Sequence, residues 1–471
     1  MKMTPHISAV SLGLALLMAS MSTWVSGQTT YSPHSRFGFG ELQSGAGIAQ
    51  FGMGQMGAAW MDRHHLNTRN PAAAGFLTRT TFAGGFQLRS EQIMEGDRAT
   101  QGEIGGLTQV SFAFKKAGGK GAFTFGLQPW SNTGYNVSQI RTDDTADEYQ
   151  IAYEGDGGLT QAHMGYARKW EGTKFKRFFA PDGTLQDSVR IIAHGTSFGA
   201  RMEQRFGELR RARTIDIANP IFLDTRVETE ETHRSLGLSV GFGHERLLGT
   251  RFDKDRKLVT STLLRLGGMA ALGRQHNLVR KNQWSSWQTL STGPIEIDSA
   301  YASQEAFDIE LPLSWTLGLE IERNTQDGLR FRLGVEWEQT AWSELSSEWL
   351  DPGAVFADKS TLAFGGALTP RGLDDANSIW QRSTYQIGWR QTEGYIALDQ
   401  GLLNANTWSF GWSLPMRGSR SGSSFNLALN WSSLQAGTSD LGLREQGFGA
   451  MAGFTLHPFF KNQWLVTRKY D

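Results

Sequence analysis

Apolar and polar residues alternate along most of this chain. From Leu313 one face carries Leu313, Trp315, Leu317, Leu319 and Ile321, while Ser314, Thr316, Gly318 and Glu320 fall on the other. After the turn-forming residues RNTQDG, the next run places Leu329, Phe331, Leu333, Val335 and Trp337 on one side. Arg330, Arg332, Gly334, Glu336 and Glu338 take the opposite side. A period of two is that of a β-strand with two unlike faces, and two such runs joined at Asp327-Gly328 predict a β-hairpin.

The pattern recurs from about residue 80 to the end. Phe123, Phe125 and Leu127 alternate with Thr124, Gly126 and Gln128, and Trp408, Phe410, Trp412 and Leu414 with Ser409, Gly411 and Ser413. The runs around Leu238, Ile387 and Leu429 behave alike. Roughly 12 to 16 segments of about 8 to 12 residues emerge, the length at which a tilted strand crosses a bilayer. A soluble sandwich alternates too, since one face is core and one is wet. Three features favour a closed transmembrane antiparallel barrel: strands run without a domain break, the polar face is rich in Gly, Ser and charge, and Trp130, Trp337, Trp389, Trp431 and Trp464 sit near strand ends as an interfacial girdle would. In hydrocarbon only a helix or a closed sheet satisfies every backbone N–H.

Two charged stretches interrupt the pattern, 170–190 and 203–232, and read as loops or strand extensions beyond the bilayer on the side with long loops. At the N-terminus, Lys2, the apolar run AVSLGLALLMA and the small residues that follow have the order of a signal peptide. The expected division is signal peptide 1–27, N-terminal segment 28–77 and barrel 78–471, and the expected location is a bacterial outer membrane. The chain has no Cys, which excludes a lipoprotein and a disulfide-stapled domain. Lys+Arg and Asp+Glu both number 46, so no net charge points to nucleic acid.

Chemistry is thin. Gly52, Gly54 and Gly57 form a GxGxxG, but no hydrophobic strand precedes it and no acid follows at the spacing that a dinucleotide site needs. The bland reading is close backbone packing in a confined space. His64 and His65 are adjacent and cannot face one metal from a regular element, although Asp62 is near. Paired carboxylates at Asp143 and Asp144, or at Glu336 and Glu338, read as solvated loop or lumen lining. No catalytic set, metal or cofactor is expected. The charges predicted to line the lumen are Arg265, Arg330, Arg332, Glu336, Glu338 and Arg390.

In GAGIAQFGMGQMGAAWMDRHHLNTRNPAAAGF the chain resembles the FadL family of outer-membrane transporters for hydrophobic compounds. The matching positions are Gly52, Gly57, Ala58, Ala59, Asp62 and Asn70-Pro71-Ala72, followed by a first strand at about 78–90. YSPHSRFGFGEL, GLQPWSNTGYNV and NQWLVTRKYD resemble a Bacteroidetes-type branch. The resemblance implies a barrel of fourteen strands with the N-terminal segment inside as a hatch, which would include Gly52, Gly54, Gly57, Asp62, Asn70, Pro71 and Ala72. It implies outer-membrane lipid and a hydrophobic, fatty-acid-like ligand as partners. The charged lumen departs from an apolar conduit, so a second function stands beside transport: an accessory or scaffold barrel bound to other outer-membrane proteins in a secretion or assembly complex.

Overall fold

The computed structural model describes residues 30–457 apart from 97, 116–118, 143–147, 180–181, 183, 218, 220–221, 254, 256, 291–292, 348–349, 351–352, 373–377, 399–400, 417–421 and 437–442. The signal-peptide reading, Asp143, Asp144, Trp464 and NQWLVTRKYD lie outside the described residues. Among the described residues, eighteen strand segments form one antiparallel sheet that closes on itself, β18 (Arg444–Leu456) pairing with β2 (Thr81–Glu95). Some segments are two halves of one stave. β8 (Leu258–Ala271) continues into β9 (Arg274–Leu290), and both pair along β7 (Asp224–Phe252). β10 (Gly293–Leu311) likewise continues into β11 (Ser314–Thr325), and β13 (Ala354–Phe356) into β14 (Lys359–Thr369). With β1 (Glu41–Leu42) set apart from the wall, the closed barrel has 14 staves.

Alternation sets which face meets lipid. Leu317, Leu319 and Ile321 point outward on β11, while Thr316 and Glu320 are buried inside. The partner stave β12 (Arg330–Thr340) does the same in register, Leu317 opposite Trp337 and Leu319 opposite Val335. Nine residues at about 3.4 Å, tilted by about 40°, span roughly 21 Å, near the height of an outer-membrane apolar band. The hairpin turn falls at Asp327-Gly328, where Gly328 takes φ +85. No helix among the described residues is long and apolar enough to cross a membrane.

Consecutive hairpins must turn at opposite rims. The stretch 170–190 lies in the hairpin of β5 (Glu148–Phe179) and β6 (Leu185–Ile217), at the rim where the wall begins and ends. The stretch 203–232 lies largely in the β6–β7 hairpin at the far rim. Both are strand extensions, on opposite sides and not on one side. Beyond Glu171 and His194, among the described residues, the β5–β6 ribbon pairs with neither β4 (Gly121–Thr142) nor β7.

Trp130 is a second correction. The register between β4 and β5 shifts between Pro129 and Ser131. This bulge breaks the alternation and turns Trp130 inward, 5.4 Å from Phe39 between ring centroids, so it is no girdle residue. Trp337 and Trp431 stay on the outer face. A further irregularity lies next to it: β3 (Arg98–Lys115) pairs with β4 only from Val110 to Lys115. Farther along β4, Glu41 and Leu42 pair with Asn132 and Ser131 instead, so the N-terminal chain takes the place of β3.

The outer band gives a direct check. Phe410→Arg places a charge at mid-depth on β16 (Gly401–Pro415), where the native side chain is 53% exposed to the surroundings. Reversible unfolding from lipid vesicles is expected to show a loss of about 2–4 kcal/mol.

Candidate functional site

Residues 30–77 run through the lumen before the wall begins, and most of their side chains are buried. The segment holds little regular structure: two short 3₁₀ turns, Pro33–Arg36 and Pro71–Phe76, and one helical turn, Ile48–Phe51. A chain without its own ladder needs partners for its backbone polar groups. The wall supplies them. Glu336 accepts from the backbone N–H groups of Gly57 (2.7 Å) and Ala58 (2.6 Å). Ser409 accepts from Gly54 N–H at 3.1 Å, and Ser197 donates to the Ala72 carbonyl at 2.8 Å. Arg211 donates to the carbonyls of Arg36 (3.0 Å) and Gly38 (2.6 Å).

Close approach demands glycine on the wall. Lumen-facing Gly267, Gly365, Gly388 and Gly199 lie on different staves along the course of residues 53–72. A Cβ at each would come within 3.0 Å of segment backbone: Ala58, Met53, Gly54 and Pro71 respectively. Several sit opposite each other in register, as Gly334 with Gly365 and Gly365 with Gly388. The glycines on the polar face of the alternating pattern are the track on which the segment lies.

Charge then fixes the segment in place. Arg69 pairs with Glu336 and, at 2.5 Å, with Glu338, which also holds Lys359 (2.9 Å) and Arg390 (3.5 Å). Asp62 pairs with Arg330 at 3.2 Å and Arg332 at 3.3 Å. Its other oxygen accepts from the N–H groups of His64 and His65. Burial would raise the Asp62 carboxyl, but Arg330, His65 and Arg332 together hold it well below the usual carboxylate range. Arg265 pairs with Glu320 (2.5 Å), Glu322 (2.7 Å) and Glu245 (3.5 Å). An isolated buried charge is costly, so these groups require one another.

The sequence-selected residues thus fall in one connected system with distinct places. Gly52 lies against Gly411, Gly54 takes φ +67, and Gly57 leaves room for the Arg69 side chain. Asn70, with φ −88 and ψ 113, is extended as its following proline demands, and its side chain accepts from Ala72 N–H to start the 3₁₀ turn. Its amide donates to the carbonyls of Ala58 and Phe242. Pro71 and Ala72 lie against Gly199. Arg330, Arg332, Glu336, Glu338 and Arg390 reach the segment or its partner network, and Arg265 joins it through Glu322, shared with Arg330, and Glu245, which also pairs with Arg63. His65 bonds to Ser424 at 3.0 Å and His64 faces Gly422, and no group of three or more metal-ligating side chains occurs among the described residues. Sequence reading missed Arg69, Glu245, Glu320 and Tyr395. Glu320 and Glu245 occupy polar-face strand positions, but nothing local marks Arg69 as the partner of residues 267 and 269 positions away.

Nearer the far rim, apolar side chains take over. Phe39 is fully buried among Trp130, His276, Trp342 and Phe356. Tyr395 donates to the Gly40 carbonyl at 2.5 Å and accepts from Phe39 N–H at 3.1 Å. Several cavities lie beside the segment, and two of them border this region. One of about 160 Å³ is lined by polar groups including Thr68, Gln128, Arg201 and Glu203. The other, about 230 Å³, is mixed: Phe51, Ile396, Leu403 and Met451 face Arg89 and Arg390. Both are below the volume of an ordinary small-molecule site, about 300–1,000 Å³. This arrangement can occlude and bind; beside it His65 bridges Ser424 (3.0 Å) and Asp62 (3.2 Å) at the edge of a cavity of about 240 Å³.

A family model, BamG, matches residues 9–173 and 187–471. No curated protein matches in sequence. Among solved structures, the toluene transporter TbuX of Ralstonia pickettii is similar, with a TM-score of 0.51 at 13% identity, covering 88% of this chain and 98% of that one. The CymD monoaromatic hydrocarbon channel is similar with a TM-score of 0.50 at 10% identity, covering 88% and 98%. At such identities the likeness is one of fold: a FadL-like outer-membrane β-barrel.

Two variants probe the seating of the segment. Gly267→Val drives a side chain into the Ala58 backbone and is expected to expose residues 30–77 to limited proteolysis in folded barrel. Gly249→Ala, with nothing within 4 Å, is the silent control. Glu336→Ala leaves Arg69 and two N–H groups without their carboxylate, and is expected to weaken docking by about 3–5 kcal/mol. Hydrogen exchange at Gly57 and Ala58, compared with exchange in β16, measures that loss.

Proposed function

Since the chain belongs to the BamG family, we propose that it is an accessory, non-conducting barrel of a larger outer-membrane complex for protein secretion or assembly. One observation carries this reading. The lumen is occupied by a segment whose backbone lies directly on wall glycines and whose Arg69 and Asp62 pair with wall charges. An open conduit has no use for such a fit. What remains for function is the outside: the strand extensions at both rims, among them the β5–β6 ribbon, whose exposed Phe175, Phe179 and Leu185 stand beside Lys174, Lys176 and Arg177. The family model leaves 174–186, the tip of that ribbon, unmatched. The placement in a Bacteroidetes-type branch belongs to this same reading.

A second reading, passage of hydrophobic small molecules, is favoured by the fold shared with the toluene transporter and by the partly apolar 230 Å³ cavity. It requires residues 30–77 to act as a hatch that leaves its glycine track, or a side exit where β3 parts from β4 and Glu41–Leu42 fill in.

Three measurements separate the readings. Purification in mild detergent from membranes at native expression should recover the barrel with other outer-membrane proteins; recovery of the barrel alone sinks the accessory role. In planar bilayers the wild-type barrel should stay silent, and toluene uptake by vesicles containing it should match empty vesicles. Uptake abolished by tethering residues 30–77 to the wall would establish transport instead.

A further inference from the structure

A cavity of about 240 Å³ lies at the rim where the wall begins and ends, between the lumenal segment and the ends of β11, β12, β14, β15 (Thr384–Leu398), β16 and β17 (Ser424–Ala436). Three side chains meet at its edge. Ser424, the first residue of β17, lies on the buried lumenal face with Asn426 and Asn430. Its Oγ is 3.0 Å from His65 Nε2, and His65 Nδ1 is 3.2 Å from Asp62 Oδ1. Asp62 is a carboxylate paired with Arg330 and Arg332, so it can only accept. In the neutral imidazole the hydrogen therefore sits on Nδ1, and Nε2 presents a lone pair to the Ser424 hydroxyl. Asn426 Oδ1, at 3.3 Å, is the longer alternative acceptor for that hydroxyl.

A hydroxyl, a base that reaches it and an acid that orients the base form the arrangement for acyl transfer, recognised by geometry and not by chain order. Arg330 and Arg382 line the same cavity, and guanidinium groups stabilise charge that develops on an acyl oxygen. Leu329 and Pro415 give the cavity an apolar flank, and its volume suits a short acyl chain. We propose that Ser424, His65 and Asp62 form a hydrolytic site for short-chain carboxylic esters, separate from the barrel's role in transport or assembly. Ser424 Oγ bonds to the acyl carbon as its proton passes to His65 Nε2. The bond from that carbon to the alcohol oxygen then breaks, and His65 gives the proton to the departing alcohol. Water, deprotonated by His65, attacks the acyl-Ser424 ester; the carboxylic acid leaves and Ser424 recovers its proton. Asp62 is a positioning residue that holds the ring and faces the charge it gains.

The test uses the full-length folded barrel in detergent micelles. A fluorophosphonate probe should phosphonylate Ser424, mapped by peptide mass spectrometry, and p-nitrophenyl acetate should be hydrolysed faster than in micelles alone. Ser424→Ala should abolish both. His65→Gln should slow hydrolysis by about 10²–10⁴-fold, and Asp62→Asn should lower kcat with KM little changed. If Ser424 only ties the segment to the wall, its substitution alters the proteolysis of residues 30–77 while no probe attaches to it, and that outcome overturns the proposal. So does hydrolysis that Ser424→Ala leaves unchanged, or labelling without turnover. Should Ser424→Ala lose the heat-resistant migration of a folded barrel, labelling at Ser424 together with turnover in the wild-type chain decides alone.

Discussion

The backbone of the lumenal segment rests directly against the backbone of the wall, and that contact constrains everything else in this barrel. Along residues 53–72 it is made where the wall has no Cβ, at positions such as Gly267, Gly365, Gly388 and Gly199. A lumen-facing side chain there would hold the segment a few ångströms away and break its hydrogen bonds to Glu336, Ser409 and Ser197. The loss would compound, because residues 30–77 carry almost no ladder of their own. Their polar groups are satisfied by wall side chains, which are satisfied in turn by them.

Electrostatics follows from the same proximity. Excluding water from the lumen turns Arg69, Glu336, Glu338 and Arg390 from independently solvated groups into a network in which each removal leaves an uncompensated charge. Coulombic attraction offsets the desolvation of these groups but does not by itself make the barrel stable. What it does is select one seating of the segment, since a shift by one residue would separate Asp62 from Arg330 and Arg332.

Much of this was legible from alternation alone. The period of two, sustained for most of the chain, identified β11 and β12 with their lipid and lumen faces, and the Asp327-Gly328 turn between them. Alternation is local, set by the pleat, so it survives in the one-dimensional record. Where the pleat is interrupted the reading failed: the bulge beside Pro129 turned Trp130 inward, and the proline, which cannot donate to the ladder, was the local signal of it. The two charged stretches were readable as extensions, but their rims depended on counting hairpins, and a charge run does not reveal direction.

The sequence by itself determined the class of fold, the two faces of the staves and the polar, glycine-rich lining, because each is a property of neighbours two residues apart. Only the tertiary structure decided what that lining touches. The pairing of Arg69 with Glu336 and Glu338, and of Glu231 with Arg211 and Arg280, join residues far apart in the chain. Closure of the sheet brings them together, and the curvature and register that close it are spread over all fourteen staves.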